Sequence, residues 1–379
     1  MIYSRIAFLT GTRADYGKIK SIIQKLSNSK KYKIYIFVTG MHLEKKFGLT
    51  YKEIFKDFGN IKNIVITKYS NTVRGYKREI TLTKTIKLFS KFVDRINPNL
   101  IIVHGDRLEA LAGSVVGTFK NYLVAHIEGG EISGTTDEHL RHAISKLSQI
   151  HFVANKSAKK LLLQMGENKK NIYVTGSPDL DLMKSKNLPT IEMVRNRYNI
   201  NFDEYAVAIL HPNPVNLIDA KKNSLVFVKA LIESNKNYVI IFPNNDPGNE
   251  IILKSYSLLK KNQKIRIFRS MRFEYFITLI KYCNFMIGNS SAGIREAPFF
   301  GVPSINLGER QNLRTNNTTI KNINFNKNKI LKEIKKRKFK LKLSNEFGDG
   351  KSAKKIFKII NQKKFWNIKF QKFFLRDNN

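Results

Sequence analysis

The sequence LIIVHGDR, residues 100–107, places four apolar residues directly before a histidine, a glycine and two charged residues. The sequence LVAHIEGGE, residues 123–131, repeats this arrangement further along the chain. A short apolar run that ends in polar residues is typical of a buried strand in a parallel sheet, with the polar side chains at its carboxyl edge. The two stretches therefore predict strands that bring Asp106 and Glu128 into one crevice.

Short apolar runs alternate with amphipathic segments over most of the chain, which is the signature of βα units on parallel sheets. Strands are predicted at 6–9, 33–38, 100–103, 123–127, 150–154, 172–175, 205–210, 238–242, 265–268, 285–287 and 304–307. Helices are predicted at 18–26, 51–58, 81–96, 137–147, 158–165 and 353–360, with further helices between the later strands. The fold class is therefore α/β, with two Rossmann-like, doubly wound domains.

The 379 residues exceed what one hydrophobic core usually organises, so two domains are expected. The first is predicted at 1–176 and carries the acidic strand ends, and the second at 177–360. Gly176-Ser177-Pro178 is the candidate hinge. The tail at 361–379 contains Phe365 and Trp366 and is predicted to pack back on the first domain. Two such domains with a cleft between them would place the carboxyl ends of both sheets around one ligand.

Composition excludes several classes of protein. Cys283 is the only cysteine, so neither an intramolecular disulfide nor a cysteine zinc site is available, and a cytoplasmic location fits. No apolar run approaches the length that spans a bilayer, so no membrane association is expected. The net charge of +39 is spread along the chain and is dense only at 335–342. It reflects either compositional drift or a basic surface that favours an anionic substrate, and no nucleic-acid-binding motif accompanies it.

The segment GTRADYGK, residues 11–18, joins the first strand to the first helix. A glycine-permitted turn and a helix N-terminus at this place can hold a phosphate. Arg13 could bind phosphate oxygens through its guanidinium, and Lys18 could add a point charge. The alternative is an ordinary strand-to-helix turn.

Paired carboxylates at strand ends can act as general acid and base when burial and repulsion separate their pKa values. Asp106 and Glu128 are candidates for this role; the alternative is that they accept hydrogen bonds from neighbouring loops. Asp137 and Arg141, one turn apart on the predicted helix 137–147, form a further candidate pair. His139 and His142 lack a third ligand in view, so no metal site is expected.

In the second half, GNSSAGIRE, residues 288–296, follows a strand and is predicted to open a helix. Its free backbone N–H groups and the hydroxyls of Ser290 and Ser291 are suited to a diphosphate, and Glu296 to ribose hydroxyls. The alternative is a simple serine N-cap. The pair HP at 211–212 and the segment FPNND at 242–246 also follow apolar strands.

Together these segments resemble the hydrolysing UDP-N-acetylglucosamine 2-epimerases of bacterial sialic acid synthesis. The resemblance covers about residues 6–360. It rests on GTRADYGK, VTGMH, HGDRLEALAG, HIEGGEISGTTDEHLRHAISKLS, GSPDLD, HP, FPNND and GNSSAGIREAPFFGVPSINLGERQ, in that order. It implies the GT-B arrangement of two Rossmann-like domains. It also implies a reaction that removes the proton at C2, expels UDP from C1 and adds water, with no metal or redox cofactor. A homodimer or homotetramer is expected.

The resemblance also implies roles for individual residues. Asp106, Glu128 and Asp137 match the catalytic carboxylates, and Arg141 matches the arginine beside them. The positions expected to contact the phosphates, the sugar or the rest of the nucleotide are Arg13, Arg107, His211, Asn244, Asp246, Ser290, Ser291, Glu296 and Arg314.

Gly129-Gly130-Glu131 and Ser133-Gly134-Thr135 favour the hydrolysing branch over the nonhydrolysing one. Two segments depart from the family pattern: Asn213-Pro214-Val215, and 315–319, which lacks a glycine. The motifs do not separate UDP-N-acetylglucosamine from UDP-N,N'-diacetylbacillosamine as substrate. The sequence is also compatible with a nonhydrolysing epimerase, whereas the carboxylate set argues against a glycosyltransferase of the same fold.

Overall fold

The computed structural model describes residues 4–72, 77–133, 137–185, 187–213, 217–243, 246–311, 314–315, 317–336 and 342–373. The strands are β1 (Ser4–Thr10), β2 (Tyr32–Val38), β3 (Ile64–Lys68), β4 (Leu100–His104), β5 (Leu123–Ile127), β6 (Ile150–Val153), β7 (Ile172–Val174), β8 (Ala206–Ile209), β9 (Tyr238–Ile241), β10 (Ile265–Phe268), β11 (Met286–Gly288), β12 (Ser304–Leu307) and β13 (Ile320–Ile323). The α-helices are α1 (Arg13–Ser27), α2 (Tyr51–Phe58), α3 (Arg78–Ile96), α4 (Leu108–Phe119), α5 (Asp137–Leu147), α6 (Lys156–Gln164), α7 (Asp179–Met183), α8 (Ile191–Tyr198), α9 (Ala220–Glu233), α10 (Asn249–Ser255), α11 (Phe273–Tyr282), α12 (Glu296–Phe299), α13 (Lys327–Lys336) and α14 (Ser352–Ile360). Within the described ranges, none of these helices combines the length and apolar character needed to cross a membrane.

The first compact unit is built on a parallel sheet of seven strands in the order β3-β2-β1-β4-β5-β6-β7. Ile6 and Phe8 of β1 pack on one side with residues of α1, and Ala7 and Leu9 pack on the other side with Phe89 of α3. Because helices bury both faces, the central strand is a continuous apolar run instead of an alternating one. This doubly wound arrangement confirms the predicted α/β class.

The second unit repeats the design on six parallel strands in the order β10-β9-β8-β11-β12-β13. Ala206 and Ala208 of β8 belong to one hydrophobic cluster, whereas Val207 and Ile209 belong to the cluster on the opposite face. Both faces of this sheet are therefore buried as well, and it has the same doubly wound character.

The edge strands β3 and β13 are absent from the sequence-based prediction. Ile320 and Ile323 of β13 are buried, while Lys321 and Asn322 between them are exposed. The polar pair in the middle of β13 removes the continuous apolar run by which the central strands are recognised, whereas β3 begins with the apolar run Ile64-Val65-Ile66, which the prediction omitted.

The limits of the two units differ from the predicted ranges 1–176, 177–360 and 361–379. The first unit comprises Met1–Glu131, Asp137–Lys184 and Phe347–Asn379, and the second comprises Ile132–Thr136 and Ser185–Glu346. Helix α14, predicted as the end of the second domain, packs in the first unit, where Ile356 and Ile360 join the cluster that contains α1. Phe365 is buried in that cluster too, and Trp366 stacks on Tyr32 with 6.4 Å between ring centroids. An apolar stripe shows that a helix is packed, but it does not show on which core.

Candidate active site

Each sheet has one place where the strand order reverses, and in open α/β sheets ligands bind there, at the carboxyl ends of the strands. In the first sheet this reversal lies between β1 and β4, and in the second between β8 and β11. The segment Gly11–Lys18 follows β1, and the segment His104–Arg107 closes β4. Their neighbour β5 pairs with β4, with His104 opposite Ile127, so Glu128 lies beside them.

The turn after β5 has an unusual backbone. Glu128 has φ +62°, in the left-handed region, which is rare for residues with a side chain and is concentrated at functional sites. Gly130 has φ +75°, and a Cβ there would lie 2.4 Å from the carbonyl oxygen of Ala158. The turn therefore requires glycine at 130, and it holds Glu128 at the carboxyl edge of the sheet.

The carboxylate of Glu128 is the centre of a polar cluster and is only 5% exposed. Its Oε2 lies 3.1 Å from His104 Nε2 and 3.2 Å from Lys18 Nζ, and the Ser177 hydroxyl donates to Oε1. Lys18 Nζ is also 3.0 Å from Oδ2 of Asp179, which is fully buried. Buried carboxylates are costly unless paired, so the single ammonium compensates two of them. The lysine predicted to face a phosphate thus lies against two carboxylates.

A second cluster contains Asp106 and Arg141. Arg141 projects from α5, is 3% exposed, and one of its terminal nitrogens donates to Asp106 Oδ2. The other terminal nitrogen donates to the carbonyl oxygen of Glu131 at 2.7 Å. Since a guanidinium offers several donors in a fixed plane, Arg141 ties the carboxylate after β4 to the loop after β5.

His126 of β5 contacts the backbone next to Asp106. Its Nε2 is 2.7 Å from the carbonyl oxygen of Gly105, the residue before Asp106, and its Nδ1 is 3.0 Å from the Ser145 hydroxyl. Burial lowers the pKa of His126 to about 3, so the ring is neutral. A carbonyl can only accept, so Nε2 carries the proton and Nδ1 accepts from Ser145. The ring thereby connects β4 to α5.

Asp137 begins α5, and its Oδ1 lies 3.9 Å from Arg78 at the start of α3. The residue is partly exposed. Its helix therefore carries both Asp137 and Arg141, as predicted.

His139 and His142, from which no metal site was expected, also lie on α5. His142 Nε2 is 3.5 Å from Glu138 Oε1, one turn earlier on the same helix. Over the ranges that the structure describes, no group of three or more His, Cys, Asp or Glu side chains is placed to hold a metal ion.

The two predicted phosphate-binding arginines of the first unit each lie beside a glutamate. Arg13 forms an ion pair of 2.6 Å with Glu53 of α2, and Arg107 Nε is 3.5 Å from Glu109 of α4. Both arginines keep part of their surface exposed. These ion pairs orient the guanidinium groups near the ends of β1 and β4.

In the second unit, Asn289 fastens the ends of β8 and β11 to each other. Its Oδ1 accepts from the backbone N–H of His211 at 2.7 Å, and its Nδ2 donates to the His211 carbonyl at 2.9 Å. The preceding Gly288 has φ +134°, and a Cβ there would lie 1.8 Å from the carbonyl oxygen of Ile209. Burial and the neighbouring Arg310 guanidinium hold the pKa of His211 well below its usual value, so its ring is neutral.

The segment 288–296 differs in form from the predicted helix opening. A 3₁₀ turn covers Ser291–Gly293, where the Ser290 side chain accepts from the N–H of Ala292, and the four-residue α12 begins at Glu296. The prediction of a helix starting in the serine pair was wrong. Pro298 has no N–H, so an α-helix running from Ser291 would lose a hydrogen bond at that residue.

The other predicted residues of the second unit lie around this loop. Glu296 is 5% exposed, Arg314 donates to Gln311 Oε1 at 2.8 Å, and Asp246 Oδ2 is 4.0 Å from Arg310. Gln311 donates in turn to the carbonyl oxygen of Asn289 at 3.1 Å. Asn244 lies outside the described residues.

His104, Ser177, Asp179 and Asn289 belong to these clusters but were not among the predicted site residues. All four lie at or just past strands, within motifs that the sequence analysis quoted. Their position after an apolar run was the available signal. What the sequence did not reveal was that Ser177 and Asp179, far away in the chain, meet Glu128 and Lys18.

The buried histidines predict a loss of stability in mild acid. Burial lowers the pKa of His42 to about 4 and that of His126 to about 3, and it also lowers the pKa of His151. Below about pH 6.5 these histidines are protonated in the unfolded chain but stay neutral in the folded protein. Each of them therefore lowers the free energy of unfolding by about 1.4 kcal/mol for every pH unit below that value. Asp181, whose pKa burial raises to about 6, acts in the opposite direction but is one group against four, since the pKa of His211 is lowered as well.

We therefore expect a lower melting temperature at pH 5 than at pH 7, measured by thermal unfolding at constant ionic strength. The ring protons of His126 should show no titration in NMR spectra between pH 7.5 and pH 5. Equal melting temperatures, together with a titrating His126, would contradict the neutral assignment of this ring.

Comparison with known proteins assigns the chain to a family. The family model described as UDP-N-acetylglucosamine 2-epimerase matches residues 24–361. A UDP-N-acetylglucosamine 2-epimerase of Neisseria meningitidis serogroup B is 42% identical over 98% of this chain and 98% of its own length. A hydrolysing UDP-N,N'-diacetylbacillosamine 2-epimerase of Legionella pneumophila is 32% identical over 94% of this chain and 95% of its own.

Solved structures give the same assignment of fold. The crystal structure of a UDP-GlcNAc 2-epimerase from Neisseria meningitidis, bound to UDP-GlcNAc, matches with a TM-score of 0.79 and 19% identity. The match covers 94% of this chain and 99% of that one. A putative UDP-N-acetylglucosamine 2-epimerase from Listeria monocytogenes also matches with a TM-score of 0.79, at 19% identity over 99% of this chain and 100% of that one. The predicted GT-B-like class is confirmed, and the chain belongs to the UDP-N-acetylglucosamine 2-epimerase family.

Proposed function

We propose that this protein is a hydrolysing UDP-N-acetylglucosamine 2-epimerase, which converts UDP-N-acetylglucosamine and water to N-acetylmannosamine and UDP. The observation that carries the proposal is the set of carboxylates at the carboxyl edge of the first sheet, with Glu128 held against Lys18 and Asp106 against Arg141. The 42% identical relative and the Gly129-Gly130-Glu131 segment support it further.

The proposed reaction has two stages. A carboxylate removes the C2 proton while the bond between C1 and the UDP oxygen breaks, which leaves a C1=C2 double bond in the sugar. Water then adds its oxygen to C1 and a proton returns to C2 from the opposite face, so that the configuration at C2 is inverted. Asp106, Glu128 and Asp137 are the acids and bases of these steps, and Arg141 orients Asp106.

Departure of UDP creates negative charge, which nearby cations and N–H groups stabilise. We assign Arg13, Lys18, Arg107, His211, Ser290, Ser291 and Arg314 to the phosphates and sugar, Glu296 to the ribose, and Asn244 and Asp246 to the ligand loop. In this scheme Lys18 serves both the substrate and Glu128. The reaction needs no metal or redox cofactor.

In the cell, we propose that the protein opens sialic acid synthesis in the cytoplasm as a homodimer or homotetramer. A second candidate is the same chemistry on UDP-N,N'-diacetylbacillosamine. It is favoured by the Legionella pneumophila relative and by a Campylobacter jejuni GDP/UDP-N,N'-diacetylbacillosamine 2-epimerase, 34% identical over 84% of this chain and 85% of its own length.

One experiment separates these candidates. The purified protein is incubated with each of the two UDP-sugars in deuterated water, and the products are identified by NMR. From UDP-N-acetylglucosamine we expect two products: UDP, and free N-acetylmannosamine that carries deuterium from the solvent at C2. Accumulation of UDP-N-acetylmannosamine would assign the protein to the nonhydrolysing branch, and two unchanged substrates would refute the proposed activity.

A further inference from the structure

Residues 368–373, at the end of the last described range, reach the C-terminal end of α5. The ammonium of Lys372 lies 2.7 Å from the carbonyl oxygen of Ser148, 2.9 Å from that of Lys146 and 3.2 Å from that of Ser145. It also forms an ion pair of 2.6 Å with Glu167 Oε2. A lysine near the C-terminal end of the chain therefore caps a helix that begins at Asp137.

The chemistry of this cap is complementary. The last carbonyl groups of a helix have no partner within the helix, and they form the negative end of its dipole. An ammonium supplies three N–H donors and a positive charge, so it satisfies both needs. Substituting a neutral side chain would take this donor away from several carbonyl groups at once.

Glu167 holds Lys372 at the end of α5 through their ion pair. Its side chain is 1% exposed, and it lies 3.0 Å from both His151 Nε2 and Lys146 Nζ. Burial opposes its charge, but the hydrogen bond from His151 and the charge of Lys372 outweigh burial and lower the pKa of Glu167 to about 2. The carboxylate is thus an anion at neutral pH, and Lys372 holds it to the end of α5.

The capped end of α5 is connected to the carboxylate clusters. Ser145, whose carbonyl accepts from Lys372, donates its hydroxyl to His126, and His126 binds the carbonyl of Gly105 beside Asp106. From the same helix, Arg141 binds Asp106 directly. A shift of α5 would therefore displace Asp137 and Arg141 relative to Asp106.

We propose that Lys372 is a positioning residue for the reaction: by capping α5 it sets where Arg141 meets Asp106. This inference rests on the proposed function of the carboxylates. Lys372 acts through the helix, so its loss should impair the chemical steps and leave UDP binding by the second-unit residues intact.

The test compares Lys372→Met with Lys369→Met, since Lys369 is a nearby exposed lysine of the same segment. UDP release from the UDP-sugar is measured per folded protein, and UDP affinity is measured by titration calorimetry. We expect kcat of Lys372→Met to fall about 10- to 100-fold, since a misplacement of about 1 Å can cost about 100-fold. KM and UDP affinity should change less than about threefold, and Lys369→Met should match the wild type.

Two further variants separate positioning from general support of the fold. In Lys372→Ala, added n-propylammonium replaces the missing atoms of the lysine side chain and should restore part of kcat in a saturable way. Lys372→Arg, which keeps a positive charge, should retain more activity than Lys372→Met. An unchanged kcat in Lys372→Met would overturn the proposal. If Lys372→Met fails to fold, the other two variants decide. The proposal is overturned if n-propylammonium does not raise kcat of Lys372→Ala and Lys372→Arg is as inactive as Lys372→Ala. A wild type that turns over neither sugar would instead refute the proposed function, and this inference with it.

Discussion

Glu128→Gln is expected to lower turnover by about 10³-fold, within the range of about 10²- to 10⁴-fold that general acid–base groups contribute. Glutamine has nearly the same shape as glutamate, but its amide cannot take or return a proton at C2. It also places a neutral group against Lys18, whose ammonium lies 3.2 Å from the wild-type carboxylate. UDP affinity should stay within about threefold, because the residues assigned to UDP are unchanged.

The measurement is single-turnover UDP release, combined with calorimetric titration of UDP. Glu192→Gln is the matched control, since Glu192 is exposed at the start of α8. Turnover of Glu128→Gln within about threefold of the wild type would remove this carboxylate from the proton transfers. A parallel loss of UDP affinity would instead assign Glu128 to substrate binding.

Asp106→Asn is expected to reduce turnover by about 10²- to 10³-fold and to destabilise the protein as well. Its carboxylate is the partner of Arg141, which is only 3% exposed. Removing one member of a buried ion pair leaves an uncompensated charge, which costs about 3 to 5 kcal/mol when both members are buried. Asp106 is about 30% exposed in its side chain, so water screens part of the charge and a smaller cost, about 1 to 2 kcal/mol, is expected.

Stability is measured by denaturant unfolding, and turnover is measured as for Glu128→Gln. Asp203→Asn is the control, because the Asp203 side chain is fully exposed. In the double variant with Arg141→Met, the loss of stability should be smaller than the sum of the two single losses, because the two side chains are in direct contact. Additive losses would show that the contact between Asp106 and Arg141 contributes nothing to folding.

The architecture of the chain was largely predictable from its sequence. The central strands β4 and β5 are apolar throughout because both faces of their sheet are covered, and such runs are visible without a structure. Strand β13 was missed because the exposed Lys321 and Asn322 interrupt its apolar pattern. Helix α14 was recognised as a helix but given to the second domain, although Ile356 and Ile360 pack in the first unit.

The candidate site was predictable to a similar extent. Polar residues directly after apolar strands marked Asp106, Glu128 and His211, because parallel strands end at one edge of a sheet. The loop after β11 was found as a motif, but a 3₁₀ turn and the short helix α12 stand where the opening of a helix was predicted. The ion pair of Lys18 with Glu128 was not predictable, since 110 residues separate the two in the chain.

The sequence by itself determined the central strands of both sheets, the polar residues that follow them, and the motifs that mark the family. These features are local, because the periodicity of a strand or helix and the chemistry of its end are written in consecutive residues. Only the tertiary structure decided that Lys18 lies against Glu128 and Asp179, that Ser177 donates to Glu128, and that Lys372 caps α5. Such contacts depend on which distant segments the packing of the core brings together, and no local pattern records that.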